Sequence, residues 1–240
     1  MNCQYWNQTC GYGLPADVKQ VPEDQDQYKD MMEIVQARGY PIESHLVTTS
    51  DGYELTMFRI PYGKTGEQTV GGRPPVLLQH GLLDSSYTWV NNFETESLGY
   101  ILADNGFDVW FGNNRGNTYG RSHVMLDPDD GTEEFWKFSW DEMAYYDIPA
   151  FVNHIISDTG YESLGYIGHS EGTIQMFAAA SSTAESDVLR DVIAKINIFV
   201  ALAPVAYVSN LHSEILVKLA HSDIIQVLVL IFYFNSLNCY

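Results

Sequence analysis

Gly168-His169-Ser170-Glu171-Gly172 lies between an apolar run, Ser163 to Ile167, and a run of small residues, Thr173 to Ser182. No other stretch constrains the fold of this chain as strongly. An apolar strand, a sharp turn with serine at its apex and a helix of small residues make a nucleophile elbow. Strand and helix nearly touch at such a turn, so the positions two before and two after the serine must lack side chains, and both are glycine. A serine held this way attacks esters or amides when a histidine base and an acidic residue reach it from later in the chain. The tetrahedral intermediate also needs two backbone N–H donors, one from the residue after the serine and one from the loop after the third strand. Those positions are Glu171 and, in His80-Gly81-Leu82-Leu83 after Val76-Leu77-Leu78, Leu82.

The surrounding pattern fits one α/β domain. Residues 1–26 are polar and read as an extended lead-in, and Tyr28 to Arg38 has helical spacing with Gly39 as its stop. His45 to Ser50 and Tyr53 to Pro61 flank Asp51-Gly52, a strong hairpin signal, so the domain opens with an antiparallel pair. Strands at Val76 to Leu78, Phe107 to Phe111, Leu164 to Ile167 and Ile196 to Ala203 then alternate with helices at Leu98 to Ala103, Met143 to Ile156 and after the elbow. That alternation predicts a mostly parallel sheet with helices on both faces. The core is expected over residues 27–208, with 209–240 as the start of a helical cap and the last strands missing. Ile224 to Phe234 is apolar but too short to span a bilayer, and Lys218, His221 and Asp223 block its extension.

Several residues near the elbow invite a role. Adjacent side chains on a sharp turn diverge, so His169 is expected to pack rather than act as base. His80, beside the oxyanion loop, reads either as a brace that holds the loop by a hydrogen bond or as a satisfied polar group at a strand end. Asn113 to Gly120, at the carboxyl edge of the sheet, reads either as a pocket floor or as an ordinary turn. Ser139 and Glu142 have the spacing of a capping box for a helix from Trp140, and the aromatics at Phe135, Trp136 and Phe138 read as core packing. A carboxylate at Glu171 opposes a developing oxyanion if it points inward, so it is expected to point away or to be protonated. After Ser170 the only histidines are His212 and His221, both on the presumed cap helix, and between the elbow and these histidines the candidate acids are Glu185, Asp187, Asp191 and Glu214. Neither histidine follows a strand, so the triad Asp and His are expected to be absent from the chain.

Composition excludes other classes. With 12 Lys and Arg against 31 Asp and Glu, the formal charge of −19 opposes binding to nucleic acid. Cys3, Cys10 and Cys239 form neither a Cys-x-x-Cys pair nor a Cys/His cluster of zinc spacing, so no metal is expected. Cys3 and Cys10 can close a short disulfide around the sequon Asn7-Gln8-Thr9 in an oxidising compartment. The first twenty residues lack the basic start and apolar stretch of a signal peptide.

Gln79 to Ser86, Gly112 to Gly120, Phe135 to Ala150 and Gly165 to Thr173 together resemble the acid lipase family, the gastric and lysosomal lipases and steryl-ester hydrolases, from about Met31 to Leu219. The resemblance implies an α/β-hydrolase core, a helical cap over an apolar pocket, a secreted, lysosomal or vacuolar setting, and hydrolysis of triacylglycerols or steryl esters without a cofactor. It makes Ser170 the nucleophile and the Leu82 and Glu171 amides the oxyanion donors. The family usually has Gln where this chain has Glu171, and its Asp and His lie past residue 240. A lipid ester is the implied partner, with contact at a lipid interface. Two other readings stay open: a catalytically incomplete product that binds lipid through exposed apolar surface, and a thioesterase or peptidase on the same fold.

Overall fold

The computed structural model describes residues 25–64, 66 and 72–207. Cys3, Cys10, Cys239, the sequon, His212, His221 and the 209–240 segment therefore lie outside the described residues. Seven strands form one sheet: β1 (Glu43–Thr48), β2 (Tyr53–Ile60), β3 (Pro75–Gln79), β4 (Asp108–Gly112), the two-residue β5 (Ser122–His123), β6 (Leu164–His169) and β7 (Ile196–Leu202). Their order is β1-β2-β4-β3-β6-β7, with β5 beside β2. The β1–β2 and β2–β4 pairs are antiparallel, and β4, β3, β6 and β7 run parallel. The opening hairpin and the parallel sheet are those the sequence predicts.

Helices cover both faces. They are α1 (Met31–Ala37), α2 (Leu98–Asp104), α3 (Ile148–Thr159), α4 (Glu171–Ser181) and α5 (Asp187–Ala194). Alternation along the central strands divides the core in two. Val76, Leu78, Val109 and Phe111 pack with Met31, Ile34 and Val35 of α1 and Tyr100 of α2. Leu77, Trp110 and Tyr166 face the other way, onto Phe151 and Ile155 of α3, Met176 of α4 and Leu189 of α5. Every residue of β3 and β4 is buried, as strands covered on both faces must be.

Three boundaries differ from expectation. The first helix begins at Met31 rather than Tyr28, because Asp30 and Glu33 form a reciprocal capping box and Gln25–Tyr28 makes a separate 3₁₀ turn. The helix expected from Met143 is preceded by a turn at Trp140–Glu142, capped by Ser139 and Glu142, and passes through a five-residue π segment, Met143–Asp147, before α3. Helix α5 has no counterpart in the sequence reading. Its Ser186 cap accepts from the Leu189 N–H, and only Leu189 and Val192 are buried.

Candidate active site

Register sets the site. β3 pairs Gln79 with Gly112 on one side and with Gly168 on the other, and Gly168 pairs with Ala201. The chain therefore leaves β3, β4, β6 and β7 along one edge, the carboxyl edge where open α/β sheets place ligands.

Ser170 stands at that edge with φ 51° and ψ −113°, a backbone conformation L-residues rarely adopt. Glycines make it possible. A Cβ at Gly168 would lie 2.6 Å from the Gly172 carbonyl oxygen, and one at Gly172 would lie 2.5 Å from the Gln79 carbonyl oxygen. Hydrogen bonds then hold the turn from several sides. The Ser170 N–H donates to the Leu202 carbonyl (3.0 Å) at the end of β7. The Thr173 hydroxyl donates to the Ser170 carbonyl (2.6 Å) and accepts from the Val205 N–H (2.8 Å), and the Tyr166 hydroxyl donates to the Gly172 carbonyl (2.8 Å).

The loop after β3 runs directly past this serine. A Cβ at Gly81 would sit 3.1 Å from Ser170 Cβ and 3.3 Å from His169 Nδ1, so the two loops are in contact and the His169 ring lies against Gly81. Leu82 and Leu83 follow, 62% and 91% exposed, with Leu83 at φ 57°. Glu171 opens α4, where first-turn N–H groups have no acceptor within the helix. Its side chain is partly covered, and burial pushes its carboxyl up to about 7.

His80 is buried beneath the loop, and burial depresses its pKa, so the ring is neutral. Its Nε2 accepts from the Asn114 N–H (3.1 Å) and the Asn117 side-chain amide (3.0 Å), which puts the ring proton on Nδ1, donating to the Gly81 carbonyl (2.8 Å). That imidazole ties the 80–83 loop to the 113–117 loop. Asn113 adds to the tie by accepting from the Ser86 N–H (2.9 Å) and donating to the Thr56 carbonyl (2.8 Å). Asn113, Asn114 and Arg115 are buried and, with Asn117, form a polar frame beneath the 80–83 loop, while Thr118 is exposed.

Sequence reasoning missed the charge at the centre of this frame. Arg115, 2% exposed, donates to the fully buried Asp147 from Nε (2.9 Å), Nη2 (2.8 Å) and its backbone N–H (3.1 Å). It also donates to Asp51 from Nη1 (2.7 Å) and Nη2 (3.0 Å). The guanidinium lies 4.0 Å from the Tyr53 ring, 5.5 Å from Tyr146 and 6.0 Å from Phe138. Phe138 therefore packs on a cation as well as on the core. Burial pushes the Asp147 carboxyl up to about 6 against the opposing pull of Arg115, whereas Asp51 is held below its ordinary value by Arg115 and Thr49. An aspartate between Ala144 and Phe151 on the apolar face of a helix was the available sequence signal.

None of the five described histidines is placed as a base for Ser170. His80 has both nitrogens engaged, His45 and His154 face each other, His123 bonds to Asp51 and to the amides of Met125 and Leu126, and His169 shares the turn.

Comparison with known proteins agrees with this architecture. Residues 31–93 match a family described as a partial alpha/beta-hydrolase lipase region, and residues 74–196 match the alpha/beta hydrolase fold. The chain is 50% identical over 170 residues to gastric triacylglycerol lipase of Bos taurus, covering 71% of this chain and 41% of that protein. It is 47% identical over 186 residues to human lysosomal acid lipase/cholesteryl ester hydrolase, covering 78% and 45%, and 45% identical over 190 residues to human lipase member M, covering 79% and 43%. The chain spans less than half the length of these relatives. A core of this topology, an elbow at Ser170 and matches across both halves of the described sequence place the chain in the α/β-hydrolase family, among the acid lipases.

Proposed function

We propose that this chain carries the nucleophile half of a serine hydrolase acting on carboxylic esters of neutral lipids, triacylglycerols or steryl esters. The observation that carries the reading is the left-handed backbone of Ser170 pressed against Gly81, which presents the serine hydroxyl beside a loop able to receive an oxyanion. Ser170 Oγ attacks the ester carbonyl and its proton passes to a histidine from outside the described residues. The Leu82 and Glu171 N–H groups hold the oxyanion, the alcohol leaves, and water then releases the acid from the acyl-enzyme. Exposed Leu82 and Leu83 suit an apolar acyl chain and contact with a lipid interface. Mildly acidic conditions suit Glu171, because a protonated carboxyl adds no negative charge beside the oxyanion. A secreted or lysosomal setting goes with that pH.

The lack of a base beside Ser170 among the described residues favours one rival, a lipid-binding protein without catalysis. Both are tested on the purified chain and its Ser170→Ala variant with a fluorophosphonate probe, p-nitrophenyl butyrate, trioctanoin and cholesteryl oleate at pH 5 and pH 7. Labelling and ester cleavage that depend on Ser170 support the hydrolase. Equal rates in the two proteins refute it, and retained binding of lipid vesicles then supports the rival. Cleavage confined to thioesters or peptides refutes the assigned substrate class.

A further inference from the structure

The far edge of the sheet carries a second cluster of side chains. His45 on β1 and His154 and Asp158 on α3 bring two ring nitrogens and a carboxylate oxygen within 4.8 Å of one another. His154 and Asp158 are one helical turn apart, so both reach the same strand. His154 Nε2 stands 3.1 Å from His45 Nδ1, and the rings meet at 73°. On its other side, His45 Nε2 lies 3.3 Å from Glu43 Oε2. A carboxylate only accepts, so Nε2 holds the His45 proton and Nδ1 turns its lone pair toward His154.

We propose that His45 Nδ1, His154 Nε2 and a carboxylate oxygen of Asp158 form a binding site for a divalent transition-metal ion such as zinc, with Glu43 orienting His45 from behind. Tetrahedral zinc with metal–nitrogen bonds of about 2.0–2.1 Å sets two ligand nitrogens about 3.3 Å apart, a few tenths of an ångström from the observed spacing. The Glu43–His45 contact repeats the carboxylate–histidine–metal arrangement that fixes a ligating tautomer. His154 Nε2 faces the His45 lone pair and coordinates with the ring proton on Nδ1. Arg59 Nη1 donates to Asp158 Oδ2 (2.9 Å) and Glu43 Oε2 (3.1 Å), which leaves Asp158 Oδ1 for the ion. Its charge opposes a cation, yet three carboxylates, Glu43, Asp108 and Asp158, face that single guanidinium. An ion here would pin edge strand β1 to α3. β1 is four strand positions from β6, roughly 19 Å from the elbow, so the ion takes no part at Ser170. The sequence reading expects no metal because it looks for close spacing, whereas His45 and His154 are 109 residues apart.

The test is calorimetric titration of the metal-stripped 240-residue chain with zinc chloride at pH 7.5, together with its melting temperature and the visible spectrum of bound cobalt. Expected are saturable binding, a melting temperature that rises with zinc, and loss of one metal equivalent in His45→Gln/His154→Gln. Glu43→Gln should weaken binding by about 10- to 100-fold, as loss of a group supporting a ligand does. Circular dichroism checks the fold of each variant, and His154→Gln alone replaces the double variant if that fails to fold. Absence of saturable binding by the folded parent overturns the site, as does unchanged stoichiometry and affinity in a folded variant.

Discussion

Replacing Arg115 by Met tests how much the buried Arg115–Asp147 pair contributes to the frame beneath the 80–83 loop. Two unit charges about 4 Å apart at an effective dielectric near 20 attract by about 4 kcal/mol, which is similar to the several kcal/mol needed to desolvate each ion. The intact pair is thus near neutral in net energy. Its rupture is not, because Asp147 is fully buried and loses every donor except a backbone N–H. Arg115→Met should cost about 3–5 kcal/mol at pH 8, the usual cost of leaving a buried charge uncompensated, or about 10 °C in melting temperature for a domain of this size. The loss should depend on pH with a definite sign. The Asp147 carboxyl already titrates near 6, above its ordinary 3.8, so lowering the pH to 5 neutralises the orphaned group and narrows the gap between variant and parent. Arg115→Met/Asp147→Asn, in which the amide oxygen still accepts from the residue 115 N–H, should recover most of the loss at pH 8. Urea unfolding followed by tryptophan fluorescence at pH 5 and pH 8 measures all three proteins. A loss under about 1 kcal/mol at pH 8, or one equal at both pH values, refutes the reasoning.

Three further outcomes follow from the elbow. Ser170→Gly should stabilise the chain by about 1 kcal/mol over Ser170→Ala in thermal unfolding, since only glycine relieves the strain at φ 51° and ψ −113°; equal melting temperatures would remove the claim of strain. Glu171, with a folded pKa near 7 against an ordinary 4.5, contributes stability below about pH 4.5 that is lost as pH rises through 7. Glu171→Gln should flatten that slope and raise stability at pH 8 by about 1–2 kcal/mol, read from urea midpoints across pH 4–8. Gly172→Ala would set a methyl 2.5 Å from the Gln79 carbonyl oxygen and 2.9 Å from that of His80. Neither is a movable side-chain end, so a loss of about 2–3 kcal/mol and displacement of the oxyanion loop are expected, and a melting temperature within 2 °C of the parent would contradict this.

What was legible in the chain follows from how local each feature's cause is. β3, β4 and the turn at Ser170 could be read because their determinants are contiguous, an apolar run or two glycines around a serine. Helix α5 is just as local, with Leu189, Val192 and Ile193 at helical spacing behind the Ser186 cap, so its eight residues were open to the same reading as the longer helices. The capping boxes at Asp30 and Ser139 depend equally on local spacing; the apolar period alone sets the first helix start at Tyr28, and the Asp30–Glu33 box moves it to Met31. Arg115 with Asp147, and His45 with His154, are pairings between distant segments, fixed only when the sheet brings β1, β4 and the π segment before α3 together. Asp147 on an apolar helix face marks one partner in the sequence, but which residue it pairs with is set only by the fold.

The same reasoning bears on how the turn at Ser170 is built. Strain at Ser170 of about 1–3 kcal/mol persists only if the surroundings over-determine the turn. Four hydrogen bonds involving Ser170, Gly172 and Thr173 each contribute on the order of 1 kcal/mol, and their partners are Tyr166 on β6, Leu202 on β7 and Val205 just beyond it. No bond in that set comes from a base or its acidic partner. Among the described residues the elbow is accordingly set by β6, α4, β7 and the Gly81 loop, with no histidine or carboxylate in the bonds that fix it. Oxyanion-side residues and triad-side residues are then separable by experiment: Gly172→Ala should disturb the turn in this chain whether or not a histidine reaches Ser170.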